Sequence, residues 1–241
     1  MKHSSTTTRY MKANVTFLAG VLYAYTLTAQ SPAIITDIDG NQYTTVQIGK
    51  QTWMAENLRT TRLRDGSLLP RVEGDMAWYT VMAPAYCWYE NNVELGDAYG
   101  ALYNWYAVGT NKLCPSGWHV PGHGEWTELA GQLKAVNTMG TDIQMNGELK
   151  STRTVPAGHP RWDLPNEGAS NRSGFSAMPG GQRNFAGTFM DLGRLGIWWT
   201  SSGANSPEYF AWYRGLRAGS PGMFMTSGHI RNGFSVRCVR D

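Results

Sequence analysis

Glycine and large aromatic residues recur along the whole chain, and this combination restricts the fold more than any single motif does. The sequence holds 28 glycines, 10 tryptophans and 12 tyrosines, whereas only 16% of its residues are charged. Glycine interrupts helices and permits turns, while large aromatic side chains bury enough surface to hold irregular backbone in place. The chain is therefore expected to form a loop-rich fold of short elements, in which long helices are scarce.

Length and charge bound the organisation of the chain and exclude one class of partner. A chain of 241 residues fits one compact domain with short appendages and can bury a sizeable core. Its formal net charge of +3 comes from interspersed charges of both signs, without a basic run. Nucleic-acid-binding proteins concentrate Lys and Arg on one face, so a nucleic-acid partner is not expected.

The N-terminal segment has the pattern of a secretory signal peptide. Three basic residues within the first twelve positions precede an apolar stretch over residues 15–29, which ends before Gln30. The alternative, a membrane anchor, needs about 20 apolar residues, and this stretch is shorter and contains Thr and Tyr. We expect residues 1–29 to be removed. Residues 30–241 are then expected to be exported to the cell surface, the outer membrane or the medium, without a membrane span.

Three cysteines in an exported chain predict one disulfide and one unpaired thiol. Cys114 and Cys238 are the expected pair, because both lie near aromatic or β-branched residues in segments of structural character. Their bond would tie the end of the chain to its middle, and closing so long a loop stabilises a fold by on the order of 4 kcal/mol in the chain-entropy model. Cys87 is expected to be a buried free thiol, since the sequence places no base beside it.

Short β-rich runs and two helical patterns predict an α+β fold. Residues 34–53 predict a hairpin, because turn signals separate β-rich runs. Apolar residues at helical spacing predict a short helix over 99–108 and the clearest helix over 125–136. Toward the end of the chain, four further strands are predicted, at residues 185–189, 197–201, 209–216 and 234–239. The segment 217–232 has weak periodicity and is expected to be exposed.

Five motifs in a fixed order resemble the Fibrobacter succinogenes major paralogous domain. They are TDIDGN at residues 36–41, WMAENL at 53–58, YGALYNW at 99–105, CPSGWHVP at 114–121 and GFSVRCVRD at 233–241. The resemblance runs from about residue 34 to the end of the chain. It implies an exported protein of a kind common in Bacteroidetes and Fibrobacteres, a family without an established general activity.

The same resemblance implies a C-type-lectin-like fold, related to that of formylglycine-generating enzymes. Such a fold is loop-rich, with small antiparallel sheets and one or two helices, and a short final strand closes a sheet beside the start of the domain. The paired cysteines that a formylglycine-forming enzyme uses for oxidation are not recognisable in the sequence. A nucleophile elbow, a phosphate loop and an HExxH motif are also missing from it. No catalytic residue is therefore predicted.

The C-terminal part also resembles the variable proteins of diversity-generating retroelements, in which adenine-directed mutation changes the ligand-contacting residues of this fold. A frame rich in tryptophan alternates here with residues that mutation of Asn codons can produce, within a predicted variable region at 197–232. The resemblance and the aromatic content of this region predict the following ligand contacts: Tyr209, Phe210, Tyr213, Gly215, Arg217, Gly219, Ser220, Gly222, Phe224, Ser227 and His229.

Strand geometry supports the same hypothesis. Alternate side chains of a strand point outward, and outward residues can change with little effect on stability. By this argument, alanine at Tyr213 or Phe224 would abolish ligand binding and leave the melting temperature unchanged. The alternative is an irregular surface loop without a selected role.

The lead functional hypothesis is a surface receptor or adhesin-like module that binds a protein or a glycan, since aromatic and arginine side chains carry most interface energy. One alternative is a calcium-assisted carbohydrate-binding module, and another is a structural fimbrial or envelope component. No second set of calcium ligands is recognisable, and the five histidines do not have zinc-ligand spacing, so no cofactor is predicted. The oxygen-bearing residues considered for calcium are expected to stabilise their loop instead: Asp163, Asn166, Glu167 and Asn171.

Overall fold

The computed structural model describes Met1 and residues 33–133, 136–137, 142–144 and 147–241. Apart from Met1, the predicted signal peptide at residues 1–29 lies outside the described residues. The described part of the predicted domain belongs to one compact unit, Pro32–Asp241.

Short strands dominate the described residues, and four short α-helices accompany them. The helices are α1 (Asp75–Thr80), α2 (Val93–Tyr99), α3 (Trp105–Gly109) and α4 (His123–Gln132). The strands are β1 (Ile34–Thr36), β2 (Gln42–Ile48), β3 (Gln51–Met54), β4 (Tyr86–Cys87), β5 (Leu102–Tyr103), β6 (Trp118–His119), β7 (Val136–Asn137), β8 (Asp142–Gln144), β9 (Gln182–Arg183), β10 (Phe189–Met190), β11 (Leu195–Gly203), β12 (Phe210–Arg217), β13 (Gly222–His229) and β14 (Val239–Arg240). This loop-rich α+β architecture is the predicted class, although four helices replace the expected one or two. No helix in the described part of the chain is long and apolar enough to cross a membrane.

The first sheet has the strand order β1-β2-β3-β14-β6. The carboxylate of Asp37 closes the turn between β1 and β2 by accepting hydrogen bonds from nearby backbone N–H groups at 2.9 Å. The final strand lies between β3 and β6, with Val239 opposite both Trp53 and His119. The chain end therefore closes a sheet beside the start of the domain, as expected. The strand predicted over 234–239 is wrong in its bounds, because only its last residue belongs to β14.

The second five-stranded sheet has the order β11-β12-β13-β8-β7. Strands β12 and β13 form a continuous antiparallel hairpin, from the pair Phe210 and His229 to the pair Leu216 and Met223. The sequence predicted β11 and β12 but placed an exposed irregular segment at 217–232. That expectation is wrong, because half of the segment forms β13, whose first three residues are buried.

Aromatic side chains form the centre of the fold, as the composition predicted. Trp53, Trp126, Phe175 and Trp198 pack in one buried cluster, with ring centroids 4.9 to 6.2 Å apart. The guanidinium of Arg237 lies 4.2 Å from the centroid of Phe175 and donates a hydrogen bond to the carbonyl of the same residue. The last motif of the sequence thus supplies a buried cation that holds the aromatic cluster together.

The helix predicted over residues 99–108 is wrong, because Gly100 interrupts it. Gly100 has a positive φ of 84°, and a Cβ at this position would lie 2.7 Å from the Cβ of Asn57. The chain forms α2 before this glycine and α3 after it, where Asn104 caps α3 by accepting a hydrogen bond from the N–H of Ala107. The helix predicted over 125–136 is confirmed as α4, although it begins two residues earlier and ends at Gln132.

The strand predicted over residues 185–189 is also wrong, because most of this segment is the turn between β9 and β10. The side-chain oxygen of Asn184 accepts hydrogen bonds from the N–H groups of Ala186 and Thr188, and these bonds favour a turn over an extended strand. Phe185 consequently lies on the surface.

The predicted disulfide is confirmed. Cys114 and Cys238 are bonded, with their Cα atoms 6.0 Å apart across a sequence separation of 124. Cys87 is a free, buried cysteine, and burial raises the pKa of its thiol to about 12. The thiol is therefore protonated at neutral pH and is a weak nucleophile.

His119 links β6 to helix α4 and to the chain end through two carboxylates. Its Nδ1 lies 2.5 Å from Asp241 Oδ1, and its Nε2 lies 2.6 Å from Glu125 Oε1. Burial alone lowers the pKa of His119, but the hydrogen bonds and charges of the two carboxylates outweigh burial and raise the pKa. When folding raises the pKa of a group, its contribution to stability is complete at pH values below the pKa in the unfolded chain, which is about 6.5 for histidine. This contribution is lost as the pH rises through the pKa in the folded protein.

We therefore expect His119→Gln to be less stable than the wild type in acid and to approach the wild type at alkaline pH. Melting temperatures of both proteins between about pH 6 and about pH 9 check this expectation, since this range spans the titration of a histidine. A stability difference that stays constant over the whole range would contradict the charge-based role of His119.

Candidate binding face

The predicted ligand contacts divide into three groups along the hairpin of β12 and β13. The middle group is buried or half-buried and comprises Tyr213, Gly215 and Phe224, together with Gly222 at the side nearest the tip. The second group lies at the tip of the hairpin and comprises Arg217, Gly219 and Ser220. The third group lies at the open end and comprises Tyr209, Phe210, Ser227 and His229. Among these predicted contacts, the exposed side chains lie toward the two ends of the hairpin.

The middle group packs inside the fold. Gly215 lies opposite Phe224, and a Cβ on Gly215 would lie 2.2 Å from the Phe224 ring. Phe224 is only 6% exposed. Tyr213 packs edge-on against Phe234, with ring centroids 4.7 Å apart, and burial raises the pKa of Tyr213. The expectation that these residues are exposed is wrong, because Gly215 and Phe224 are buried against each other and Tyr213 is half-buried against Phe234.

Exposed aromatic side chains are concentrated at the open end of the hairpin. The most exposed aromatic side chains among the described residues retain 42% to 57% of their surface, and they are Tyr79, Phe185, Tyr209 and Phe210. All four lie around the short segment 229–231. The ring of His229 stacks on Phe185, with centroids 5.1 Å apart, and contacts Phe210 edge-on at 5.9 Å.

The remaining two aromatic residues join the same surface through the backbone and through Arg231. The guanidinium of Arg231 lies 4.9 Å from the centroid of Tyr79 and donates a hydrogen bond to the carbonyl of Tyr79. The carbonyl of Tyr209 accepts a hydrogen bond from the N–H of Ile230 at 2.9 Å. We call the surface formed by the four exposed aromatic residues, His229 and Arg231 the aromatic face.

The hydrogen bonding of His229 keeps its ring neutral. Its Nδ1 accepts a hydrogen bond from the backbone N–H of Arg231 at 3.1 Å, so the ring proton belongs on Nε2. Burial lowers the pKa of His229, and the charge of Arg231 lowers it further. The imidazole is therefore uncharged at neutral pH and presents an aromatic surface next to Phe185.

The sequence predicted half of the aromatic face. Tyr209, Phe210 and His229 belong to the expected contacts, whereas Tyr79, Phe185 and Arg231 were missed. Arg231 lies 152 residues after Tyr79, so no local pattern connects them. The exposure of Phe185 could have been predicted from the sequence, because an Asn one residue before it and a Gly two residues after it are typical of a turn.

A buried lysine fixes the tip of the hairpin from inside. The side chain of Lys150 is fully buried, and its Nζ lies 2.9 to 3.2 Å from four carbonyl oxygens, those of Glu167, Arg217, Ala218 and Ser220. The ammonium also lies 5.0 Å from the centroid of the Trp162 ring. Burial lowers the pKa of Lys150 to about 8, so the side chain still carries its charge at neutral pH. One ammonium group thus ties the hairpin tip to the loop that contains Glu167.

Two of the four residues considered for calcium, Asn166 and Asn171, stabilise their loop through side-chain hydrogen bonds. The Nδ2 of Asn166 donates to the carbonyl of Ser151 at 3.0 Å, and Asn171 exchanges two hydrogen bonds of 2.8 Å with Ser176. The side chain of Glu167 is exposed. Within the described ranges, no three His, Cys, Asp or Glu side chains converge to hold a metal ion.

Comparison with known proteins places the chain in a family. Its sequence matches the Fibrobacter succinogenes major domain over residues 46–240. No curated protein and no solved structure gives a significant match. The matched range includes the disulfide, Lys150 and every residue of the aromatic face. The chain belongs to the Fibrobacter succinogenes major domain family.

Proposed function

We propose that this chain is an exported, non-catalytic binding protein whose aromatic face contacts a protein partner. The observation that carries the proposal is the concentration of the most exposed aromatic side chains around segment 229–231. Contiguous apolar surface is unfavourable in water, and patches of this kind mark interaction sites. Aromatic and arginine side chains also supply most of the binding energy in protein interfaces.

The shape and composition of the aromatic face favour a protein over a glycan. The planes of Phe185 and Phe210 make angles of 29° and 73° with the ring of His229, so the rings do not form one flat platform. Such a surface suits varied side chains better than the flat face of a sugar ring. Met76 is exposed one turn before Tyr79 on α1, and methionine, tyrosine and arginine are enriched in protein interfaces.

A C-type-lectin-like fold and an extracytoplasmic location are parts of the same proposal. The fold assignment is supported by the final strand, which lies between β3 and β6, and by the disulfide at Cys238 next to that strand. Export is supported by the apolar segment before residue 30 and by the disulfide, since disulfides persist in oxidising compartments.

Diversification of the C-terminal segment is compatible with the ends of the hairpin and incompatible with its middle. A side chain at Gly215 would collide with the Phe224 ring, and overpacking of this kind destabilises a core. Exchange at Tyr209 or Ser227 leaves the core intact, because both side chains are exposed. We therefore restrict the proposed variable surface to the open end and the tip.

The proposal is tested by removing the two rings that contact His229. We expect the double variant Phe185→Ala/Phe210→Ala to bind a protein partner at least about 30-fold more weakly, since two interface aromatics together supply about 2 kcal/mol or more. Immobilised wild-type protein captures cell-surface proteins, and surface plasmon resonance then measures the Kd of each purified candidate. Leu68→Ala is the matched control, because Leu68 is an exposed apolar side chain outside the aromatic face.

The outcomes separate the proposed function from its alternatives. The double variant should retain a melting temperature close to that of the wild type, because both rings are largely exposed. An unchanged Kd for the double variant contradicts the assignment of the aromatic face. A glycan array, probed with and without a calcium chelator, tests the carbohydrate alternative. Stable association with envelope subunits that does not depend on the two rings would favour a structural component.

A further inference from the structure

A cleft of about 470 Å³ opens beside the tip of the hairpin, at the other end of β12 from the aromatic face. Its walls are the loop at 163–165, the turn at 191–195 and the hairpin tip at 217–219. The volume falls within the range of about 300–1,000 Å³ that is usual for small-molecule sites. The charged residues of the lining are two carboxylates and two guanidiniums, Asp163, Asp191, Arg194 and Arg217. The cleft therefore carries both signs of charge and a net charge of zero.

Asp163 and Arg194 carry opposite charges and both line the cleft, but they do not pair with each other. The Oδ1 of Asp163 would lie 2.8 Å from a Cβ on Gly193, which places the carboxylate directly against the residue that precedes Arg194. In the described structure, neither the Asp163 carboxylate nor the Arg194 guanidinium forms an ion pair or a hydrogen bond. A carboxylate and a guanidinium are therefore both available to a ligand.

The other two charged groups are held in place by the fold. The carboxylate of Asp191 accepts a hydrogen bond from the side chain of Gln182 at 2.8 Å. The guanidinium of Arg217 lies 3.8 Å from the centroid of the Phe224 ring. Both groups thus contribute a charge of defined position to the lining.

The walls of the cleft are cross-linked to each other. The N–H of Asp163 donates to the carbonyl of Gly193 at 2.8 Å, and the N–H of Ala218 donates to the carbonyl of Arg194 at 2.9 Å. Lys150 holds the hairpin tip through the carbonyl oxygens described above. Because a ligand need not order these segments, little binding energy is lost on entry.

We propose that this cleft binds a small zwitterionic molecule that carries both a carboxylate and an ammonium group, such as a free amino acid or an uncapped dipeptide. Its carboxylate would pair with Arg194 and its ammonium group with Asp163, while Arg217 and Asp191 contribute one further charge of each sign to the lining. A singly charged ligand would meet two groups of like charge. A neutral ligand would desolvate the charged groups without neutralising them, which is costly. The site is separate from the aromatic face and does not rest on the proposed protein partner.

L-alanyl-L-alanine is the probe, and the same dipeptide with an acetylated N-terminus and an amidated C-terminus is its uncharged counterpart. Isothermal titration calorimetry on the full chain should detect the free dipeptide and not the capped one. Asp163→Asn and Arg194→Gln should each weaken binding at least about tenfold, since each removes one of the two ion pairs. Glu167→Gln and Arg172→Gln are the controls, because they remove exposed charges of the same types outside the cleft lining.

Several results would overturn the assignment. They are equal binding of the capped dipeptide, binding of the free dipeptide that survives both cleft substitutions, and no binding of the free dipeptide at millimolar concentration. Melting temperatures measured alongside should match the wild type, because neither substituted side chain supports the fold through a hydrogen bond. The double variant Phe185→Ala/Phe210→Ala should bind the dipeptide normally, which separates this test from that of the aromatic face.

Discussion

Lys150→Met is expected to lower the free energy of unfolding by about 2 to 4 kcal/mol, because the carbonyl oxygens around the ammonium group lose a charge-assisted hydrogen bond. The substitution keeps an unbranched side chain as far as the Cε position and removes the ammonium group that four carbonyl oxygens surround. All four oxygens lose their common partner. The carbonyls of Ala218 and Arg217 keep backbone hydrogen bonds from Glu167 and Ser220, so the cost falls mainly on the other two, at about 1 to 3 kcal/mol for each buried acceptor left without a hydrogen bond.

Urea denaturation of the wild type and the variant measures this loss. Lys112→Met is the matched control, because Lys112 pairs with Asp65 at the surface, where ion pairs contribute little. We expect the control to unfold at nearly the same urea concentration as the wild type. If both methionine variants behave alike, the carbonyl cluster does not hold the hairpin tip.

Phe224→Ala is expected to destabilise the fold by about 3 to 5 kcal/mol, the usual cost of truncating a buried phenylalanine. The Phe224 ring occupies the space that the absent side chain of Gly215 leaves open. It also contacts Tyr213 edge-on, with ring centroids 6.1 Å apart. Alanine would leave a cavity, because the glycine opposite has no side chain with which to fill it.

Thermal unfolding measures this loss by comparing the melting temperatures of Phe224→Ala and Phe210→Ala. The second variant is the control, because it carries the same substitution on the paired strand. Phe210 is exposed, so its truncation should change the melting temperature little. The structure thus reverses the sequence-based expectation that alanine at Phe224 leaves the melting temperature unchanged. An unaltered melting temperature together with lost ligand binding would restore the original role of Phe224.

Several predictions from the sequence were correct because they depend on local pattern or on the number of residues of one type. The spacing of Trp126 and Leu129 predicted helix α4, and both residues bury the same face of that helix. The three cysteines predicted one disulfide and a buried thiol, which the structure shows. Two of the errors occurred where a single residue overrides the pattern. Gly100 divides one predicted helix, and Asn184 converts a predicted strand into a turn.

The sequence by itself determined the class of fold, the family and the aromatic composition of the core, because these follow from residue content and from the order of motifs. Only the tertiary structure decided which aromatic side chains are exposed. Phe224 is buried because it meets Gly215 across the hairpin, and Tyr79 reaches the surface beside Arg231 from a helix 152 residues away. Burial is a property of contacts between distant segments, so two residues of the same type in one hairpin, the exposed Phe210 and the buried Phe224, can have opposite roles.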